Sequence, residues 1–218
     1  QKHPVERLKR KIILSEKQPK LDFSLTIYAK QKTILPIGLH PVLSLPSVPG
    51  GARLSFSPNT KAWTFPVEVE PGKSRFQLDQ RNIKVTELLN NQGKKEPLEA
   101  LPFDKPSEDL ILLTGTGGSI KLDNLHEGYS TSINWDADIL PSCLLWISNG
   151  GREYYPWNSR VQAIGIEPIA APFDLGLTHA NDKLNPLAIA GIPTGVKLDP
   201  AHPLSIEYSI SVNSYKPN

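Results

Sequence analysis

The segment LDFSLTIY, residues 21–28, indicates the fold class because its apolar and polar residues alternate without interruption. The four odd-numbered positions are Leu, Phe, Leu and Ile, and the four even-numbered positions are Asp, Ser, Thr and Tyr. Successive side chains of an extended chain point to opposite faces, so this pattern gives one apolar and one polar face. The segment is therefore predicted to be a β-strand with one face buried.

Similar short segments recur along the chain, separated by turn-forming residues. The 21 prolines and 15 glycines are spread through the sequence rather than clustered, as in a chain of short strands joined by turns. Further strands are predicted in LKRKIIL (8–14), TFPVEVE (64–70), FQLDQ (76–80), LILLTG (110–115), SIKL (119–122), STSINW (130–135), SCLLWIS (142–148), VQAIGIE (161–167) and LSIEYSISVN (204–213). Helical signals are confined to residues 85–91, which could form one or two turns, and to residues 185–191, which could form a turn or a strand. We predict an all-β, antiparallel sandwich that forms one domain over residues 1–218.

Composition excludes several classes of partner. The 24 basic and 22 acidic residues leave a net charge of +2, which favours neither nucleic acid nor a membrane surface as a partner. No apolar run has the length of a membrane helix. No signal-peptide pattern opens the sequence, which favours a cytoplasmic over a secreted protein. Cys143 is the single cysteine, and the five histidines show no metal-ligand spacing, so no metal is expected.

Two isolated ionisable residues are the first candidates for chemistry. Glu167 closes the apolar segment 161–166 and directly precedes Pro168. Its carboxylate is either paired for structural reasons or kept away from water for a reaction. His40 lies in LPIGLHPVLSLP (35–46), at the end of a predicted strand and directly before a proline. A histidine there either binds a backbone carbonyl or acts in proton transfer.

Two further features suit the binding of a polar ligand. Asp109 opens a predicted strand, where it is either a turn residue or a ligand-binding acid, and Glu108 is equally well placed. Trp157 lies in REYYPWNSR (152–160), close to Arg152. An indole can stack on the C–H face of a sugar while a guanidinium donates to its hydroxyls. A loop that merely packs on the sandwich remains the alternative.

Three segments, taken in order, resemble the aldose 1-epimerase family, also called galactose mutarotase-like proteins. Segment 35–46 resembles the family's His-Pro segment, which carries a catalytic histidine. Segment 107–113, SEDLILL, resembles the segment whose aspartate binds a sugar hydroxyl. Segment 164–176, IGIEPIAAPFDLG, resembles the Glu-Pro segment in which a catalytic glutamate ends a strand. The similarity extends from about residue 8 to the end of the chain.

This resemblance implies a β-supersandwich, a hexose or hexose phosphate as ligand, and exchange of the sugar's anomers. Glu167 would be the base that removes the proton of the C1 hydroxyl, and His40 the acid that protonates the ring oxygen. Asp109 would hold a hydroxyl, and Arg152 is a candidate partner for a phosphate. Acid–base ring opening requires neither a metal nor an organic cofactor.

The sequence also departs from the family pattern. The family normally begins with further strands that carry an arginine and a second histidine facing the sugar, and this sequence has no counterpart for either. Val42 and Leu43 replace the aromatic pair that follows the family's His-Pro. Two functions therefore stay open: an anomer-exchanging isomerase, and a carbohydrate-binding β-sandwich domain without catalysis.

Overall fold

The computed structural model describes residues 3–214, which form two large antiparallel sheets packed face to face. The strands are β1 (Val5–Leu14), β2 (Lys20–Ala29), β3 (Thr33–Leu35), β4 (Ile37–Gly38), β5 (Val42–Ser44), β6 (Ala52–Ser55), β7 (Lys61–Thr64), β8 (Ile83–Lys84), β9 (Ala100–Leu101), β10 (Ser107–Thr114), β11 (Ser119–Asn124), β12 (Tyr129–Trp135), β13 (Ser142–Asn149), β14 (Gln162–Ala170), β15 (Val196–Leu198) and β16 (Leu204–Ser214). Two short helices, α1 (Gly176–Ala180) and α2 (Pro186–Ile189), follow β14. Neither helix is long and apolar enough to cross a membrane, and the described residues contain no other α-helix.

The strand order places chain-distant segments side by side. The first sheet has the order β1-β2-β16-β12-β11-β6-β9, and the second has the order β4-β14-β13-β10-β7-β8, with β5 also pairing with β14. A small third sheet pairs β15 with β3. All these ladders are antiparallel. The predicted all-β antiparallel architecture is confirmed.

The main core lies between the two sheets and is built from the alternating positions of each strand. Residues from both sheets lose almost all contact with water there, including Leu54, Ile120, Ile133 and Ile206 of the first sheet and Ile111, Leu113, Leu145 and Ile166 of the second. Burial of apolar surface on this scale is the dominant force that holds two such layers together.

The second sheet is also covered on part of its outer face. Trp63, Leu112, Leu144 and Ile169 form a second apolar cluster there with Leu187 of α2. The centre of this sheet is thus buried on both sides, which explains why residues 110–113 of β10 and 143–147 of β13 are apolar at every position instead of alternating. The part of the outer face that this cluster leaves open holds the candidate site.

Two predicted strands are wrong. Segment 64–70 contributes only Thr64 to β7, because Pro66 has no N–H to donate to a ladder. Segment 76–80 is a loop in which Asp79 adopts a left-handed backbone with φ of 56°. The helical segments are shorter than their sequence windows, with a 3-10 turn at Val85–Glu87 and α2 at Pro186–Ile189. Helix α1 was not predicted.

Truncation of the central core residue Leu145 to Ala should lower the free energy of unfolding by about 2–5 kcal/mol, because it removes buried methyl groups and leaves a cavity. Urea unfolding followed by circular dichroism measures this loss. Leu14→Ala on the exposed edge strand β1, where the side chain is 70% exposed, should change stability by less than about 0.5 kcal/mol. Equal losses in the two variants would contradict the assigned core.

Candidate functional site

An open cleft of about 660 Å³ lies on the outer face of the second sheet. Its floor comes from β10, β13 and β14, and its walls come from the loop between β4 and β5 and the loops around residues 152–157 and 171–176. Leu110, Leu144 and Ile169 give the floor an apolar surface, while His40, Arg152 and Glu167 add polar groups. The volume and this mixture of side chains are typical of a small-molecule site.

Glu167 enters the cleft from β14, where it pairs with Leu144 of β13. Gly165 lies two positions earlier and therefore on the same face of the strand. A Cβ atom at Gly165 would collide with the Glu167 carboxylate. The glycine thus leaves the space that the carboxylate occupies over the sheet.

His40 is placed beside Glu167 by the backbone of its own loop. Leu39 donates its N–H to the Pro168 carbonyl at 2.9 Å, and Ile166 donates to the Pro41 carbonyl at 3.0 Å. These bonds fix the loop against β14 on both sides of the histidine. The prolines at 41 and 168 each lack a donor N–H, and here their carbonyls act as acceptors.

The two side chains are in direct contact. His40 Nδ1 lies 2.7 Å from Glu167 Oε1, with the imidazole 65% exposed and the carboxylate 12% exposed. The contact is a close approach of the imidazole and the carboxylate rather than a well-formed hydrogen bond.

The carboxylate of Glu167 is a stronger base than a solvated one. Burial raises the pKa of Glu167 to about 7, and the negative charge of Asp174 at the rim of the cleft adds to the effect. A carboxylate with this pKa is close to the balance point between its two protonation states near neutral pH. That property suits a group that must accept and return a proton in each cycle.

Arg152 lies between two indole rings on the wall of the cleft. Its guanidinium carbon is 5.5 Å from the centre of the Trp146 ring and 5.0 Å from that of Trp157. Its Nε lies 3.2 Å from Oε1 of Glu70 and 3.8 Å from Oε2 of Glu108. The arginine is therefore held by both stacking and charge.

Glu108 and Asp109 occupy opposite faces of β10. Glu108 shares its face with Leu110, is 0% exposed, and accepts a hydrogen bond of 2.7 Å from the Ser148 hydroxyl. Burial raises the pKa of Glu108. It lies beside Arg152 and supports the cleft from below.

Asp109 does not line the cleft, which corrects the expectation that it faces a sugar. Its Oδ1 accepts hydrogen bonds from the backbone N–H groups of Arg75 at 2.9 Å and Phe76 at 3.2 Å. Burial raises the pKa of Asp109 to about 6. Its contacts fasten the loop around residue 75 to β10. Glu108 is the acid of the pair that lies on the cleft side.

Sequence patterns did not identify every residue of the cleft. Trp146 was not among the residues predicted for the site, but it lines the cleft, and its ring centre lies 6.1 Å from that of the His40 ring. Asp174 and Phe173 form part of the rim, and Phe173 has a left-handed backbone with φ of 53°. Such a conformation in a bulky residue is uncommon and is often found beside functional sites.

No arrangement of three or more His, Cys, Asp and Glu side chains suited to a metal ion occurs within residues 3–214. Arg152, His40 and Glu167 are the described side chains of the cleft that carry or can carry charge, together with Asp174. Their chemistry is that of hydrogen bonding and proton transfer, which suits a neutral or charged organic molecule rich in hydroxyl groups.

Solved structures share this architecture. A candidate aldose 1-epimerase of Escherichia coli matches over 90% of this chain and 57% of its own, with 13% identity and a TM-score of 0.53. A Synechocystis protein matches over 95% of this chain and 54% of its own, with 13% identity and a TM-score of 0.58. A candidate mutarotase of Salmonella typhimurium matches over 95% of this chain and 60% of its own, with 6% identity and a TM-score of 0.52. No family model and no curated protein sequence matches the chain.

These similarities establish the fold, which is that of the galactose mutarotase-like β-sandwiches. This confirms the fold that the sequence resemblance implied. The chain spans little more than half the length of each of these solved structures. Their identities with this chain lie between 6% and 13%, so the likeness is one of architecture.

The raised pKa of Glu167 should make stability depend on pH. Its ordinary pKa is 4.5 and its folded value is about 7, so between these values the folded state keeps a proton that the unfolded chain has released. The free energy of unfolding should therefore fall as the pH rises through this window. Replacement by Gln removes this titration. The difference in free energy of unfolding between Glu167→Gln and the wild type should therefore rise in favour of the variant, by roughly 1–3 kcal/mol, between about pH 5 and about pH 8.

Urea unfolding of both proteins at about pH 5 and about pH 8 measures the difference. Asp109 also titrates in this window, but it is present in both proteins and cancels in the comparison. A stability difference that stays constant between the two pH values would show that the Glu167 carboxylate is not perturbed.

Proposed function

We propose that the cleft binds an aldose and interconverts its anomers, with Glu167 as the general base and His40 as the general acid. The observation that carries this proposal is the 2.7 Å contact between an exposed imidazole and a buried carboxylate at an open cleft. The similar folds of a candidate aldose 1-epimerase and a candidate mutarotase support it. On this view, residues 1–218 act as one carbohydrate-binding domain.

The contact between the two side chains matches the geometry of ring opening. Glu167 removes the proton of the C1 hydroxyl while protonated His40 donates a proton to the ring oxygen. The bond between C1 and the ring oxygen breaks, and C1 becomes an aldehyde carbon. Since both oxygens are attached to C1, an acid and a base must lie side by side to reach them together.

Ring closure restores both side chains. After opening, Glu167 is protonated and His40 is neutral. Rotation about the bond between C1 and C2 presents either face of the carbonyl to the hydroxyl that was the ring oxygen. His40 then takes the proton of that hydroxyl and Glu167 returns its proton to the carbonyl oxygen. No proton, electron or cofactor is consumed.

The remaining polar and aromatic groups suit sugar binding. Trp146 and Trp157 offer apolar ring surface for the C–H face of a sugar, and Arg152 offers N–H donors for its hydroxyls. Because Glu108 holds Arg152 from below, we assign Glu108 a positioning role. General acid and base catalysis typically contribute ~10²–10⁴-fold each, which is adequate for a reaction that also proceeds in water.

Polarimetry on freshly dissolved α-glucose and α-galactose tests the catalytic part of this proposal. The wild type should accelerate mutarotation over buffer, and Glu167→Gln should lower kcat by at least about 100-fold because it removes the base. Glu16→Gln, in the exposed turn between β1 and β2, is the matched control and should keep full activity.

The same samples distinguish the two functions that the sequence left open. Calorimetric titration that detects sugar binding without any acceleration by the wild type would refute catalysis and favour a carbohydrate-binding domain. If glucose and galactose show neither binding nor accelerated mutarotation, the proposal that the cleft binds these hexoses is refuted.

Gly165→Ala tests whether the space beside Glu167 matters for turnover. The added methyl group must displace the carboxylate, so kcat should fall by about tenfold or more while the melting temperature shows that the fold persists. The double variant with Glu167→Gln should be no worse than Glu167→Gln alone, because both changes act on one group. Additive losses would show that Gly165 acts by another route.

A further inference from the structure

Acidic side chains outnumber basic ones around the cleft, and the basic side chains already have acidic partners within the protein. Arg152 and His40 are the basic side chains among the described residues that line the cleft. The acidic lining residues are Glu167 and Asp174, and Glu70 and Glu108 lie within ion-pair distance of Arg152. Acids therefore outnumber bases around the cleft.

The positive charge of Arg152 is matched by its own carboxylates. Glu70 alone, at 3.2 Å from Nε, is sufficient to balance one guanidinium charge, and Glu108 lies on the same side at 3.8 Å. The Tyr154 hydroxyl donates to the same Glu70 oxygen at 3.0 Å and keeps that carboxylate in place. Arg152 can still donate hydrogen bonds to neutral hydroxyls, but it offers an anion little net charge.

A basic side chain close to Glu108, that of Lys73, is also paired. The Lys73 carbonyl accepts the Glu108 N–H at 2.9 Å, so the two residues are adjacent in space. Lys73 Nζ, however, binds Glu153 Oε1 at 2.6 Å. A phosphate in this part of the cleft would lie close to carboxylates, and the basic side chains that could neutralise its charge already form ion pairs.

Asp174 is an exposed acid at the rim, and within residues 3–214 no basic group lies within ion-pair distance of its carboxylate. Its charge nevertheless reaches into the cleft, because it acts on the Glu167 carboxylate. A cationic group on a ligand would find an unmatched negative charge there.

We propose that the cleft selects sugars by charge, binding a hexosamine in its ammonium form more tightly than the neutral hexose and disfavouring the hexose phosphate. This inference rests on the proposed function for the position of the sugar. It also changes the expectation for Arg152, which becomes a donor to hydroxyls rather than a phosphate partner.

The preference should be modest because Asp174 is exposed to solvent. Ion pairs at such positions contribute up to about 1 kcal/mol, which corresponds to a roughly threefold to fivefold difference in Kd. The penalty for a phosphate should be larger, about tenfold or more, since its negative charge meets several carboxylates at once. Both differences should shrink as salt is added.

Calorimetric titration with glucosamine, glucose and glucose 6-phosphate at about pH 6, where the amino group is protonated, tests the order of affinities. N-acetylglucosamine controls for the substituent, because it is neutral at the same position. Galactosamine, galactose and galactose 6-phosphate provide a second series if glucose does not bind. The expected order in either series is hexosamine, then hexose, then hexose phosphate.

Asp174→Asn should bring the Kd ratio between hexose and hexosamine close to one, whereas Asp138→Asn should leave it unchanged. Asp138 is the matched control because it is exposed in the turn between β12 and β13, away from the cleft. Glu70→Gln should strengthen binding of the hexose phosphate relative to the hexose by freeing the charge of Arg152.

The outcomes separate this inference from the proposed function. Tighter binding of the hexose phosphate than of the hexose, or equal binding of all three forms, would overturn charge selection while leaving the sugar site intact. Absence of binding by every member of both series would overturn the proposed function and the inference together.

Discussion

The removal of the Glu167 carboxylate from water is the constraint on which the candidate site depends. Glu167 lies on the outer face of β14, where the surrounding walls of the cleft leave its side chain only 12% exposed. Burial there disfavours the charged form and raises the pKa to about 7. Gly165 supplies the space, and the Pro41 and Pro168 carbonyls hold the loop that brings His40 into contact. The fold thus raises the pKa of this carboxylate and places the imidazole of His40 beside it.

Charged groups around His40 and Glu167 also affect the protonation of the Glu167 carboxylate. Asp174 adds negative charge at the rim and opposes ionisation of Glu167. Arg152 contributes hydrogen-bond donors, and Glu70 and Glu108 balance its charge. Burial and the charge of Asp174 act in the same direction on the carboxylate, which is the pattern expected where a protein prepares a general base.

The architecture could be predicted from residues 21–28 and the similar segments, because alternation follows directly from the two faces of a strand. Which of the two acidic residues of β10 faces the cleft could not be predicted from the sequence. Glu108 and Asp109 are neighbours, and residues 110–113 are apolar at every position because both faces of the sheet are covered. Without an alternating pattern, nothing in the sequence indicates which of the two acids points to the cleft. The pairing of positions 40 and 167 was suggested by resemblance, since contacts between distant segments leave no local signal.

A direct titration of the Glu167 side chain tests the central claim. Carbon-13 labelling of glutamate, with Glu167→Gln used to assign the signal, allows its carboxyl chemical shift to be followed against pH. We expect a midpoint at about 7, and a lower midpoint when Asp174 is replaced by Asn. A midpoint at 4.5, the ordinary value for a glutamate, would show that the carboxylate is not removed from water.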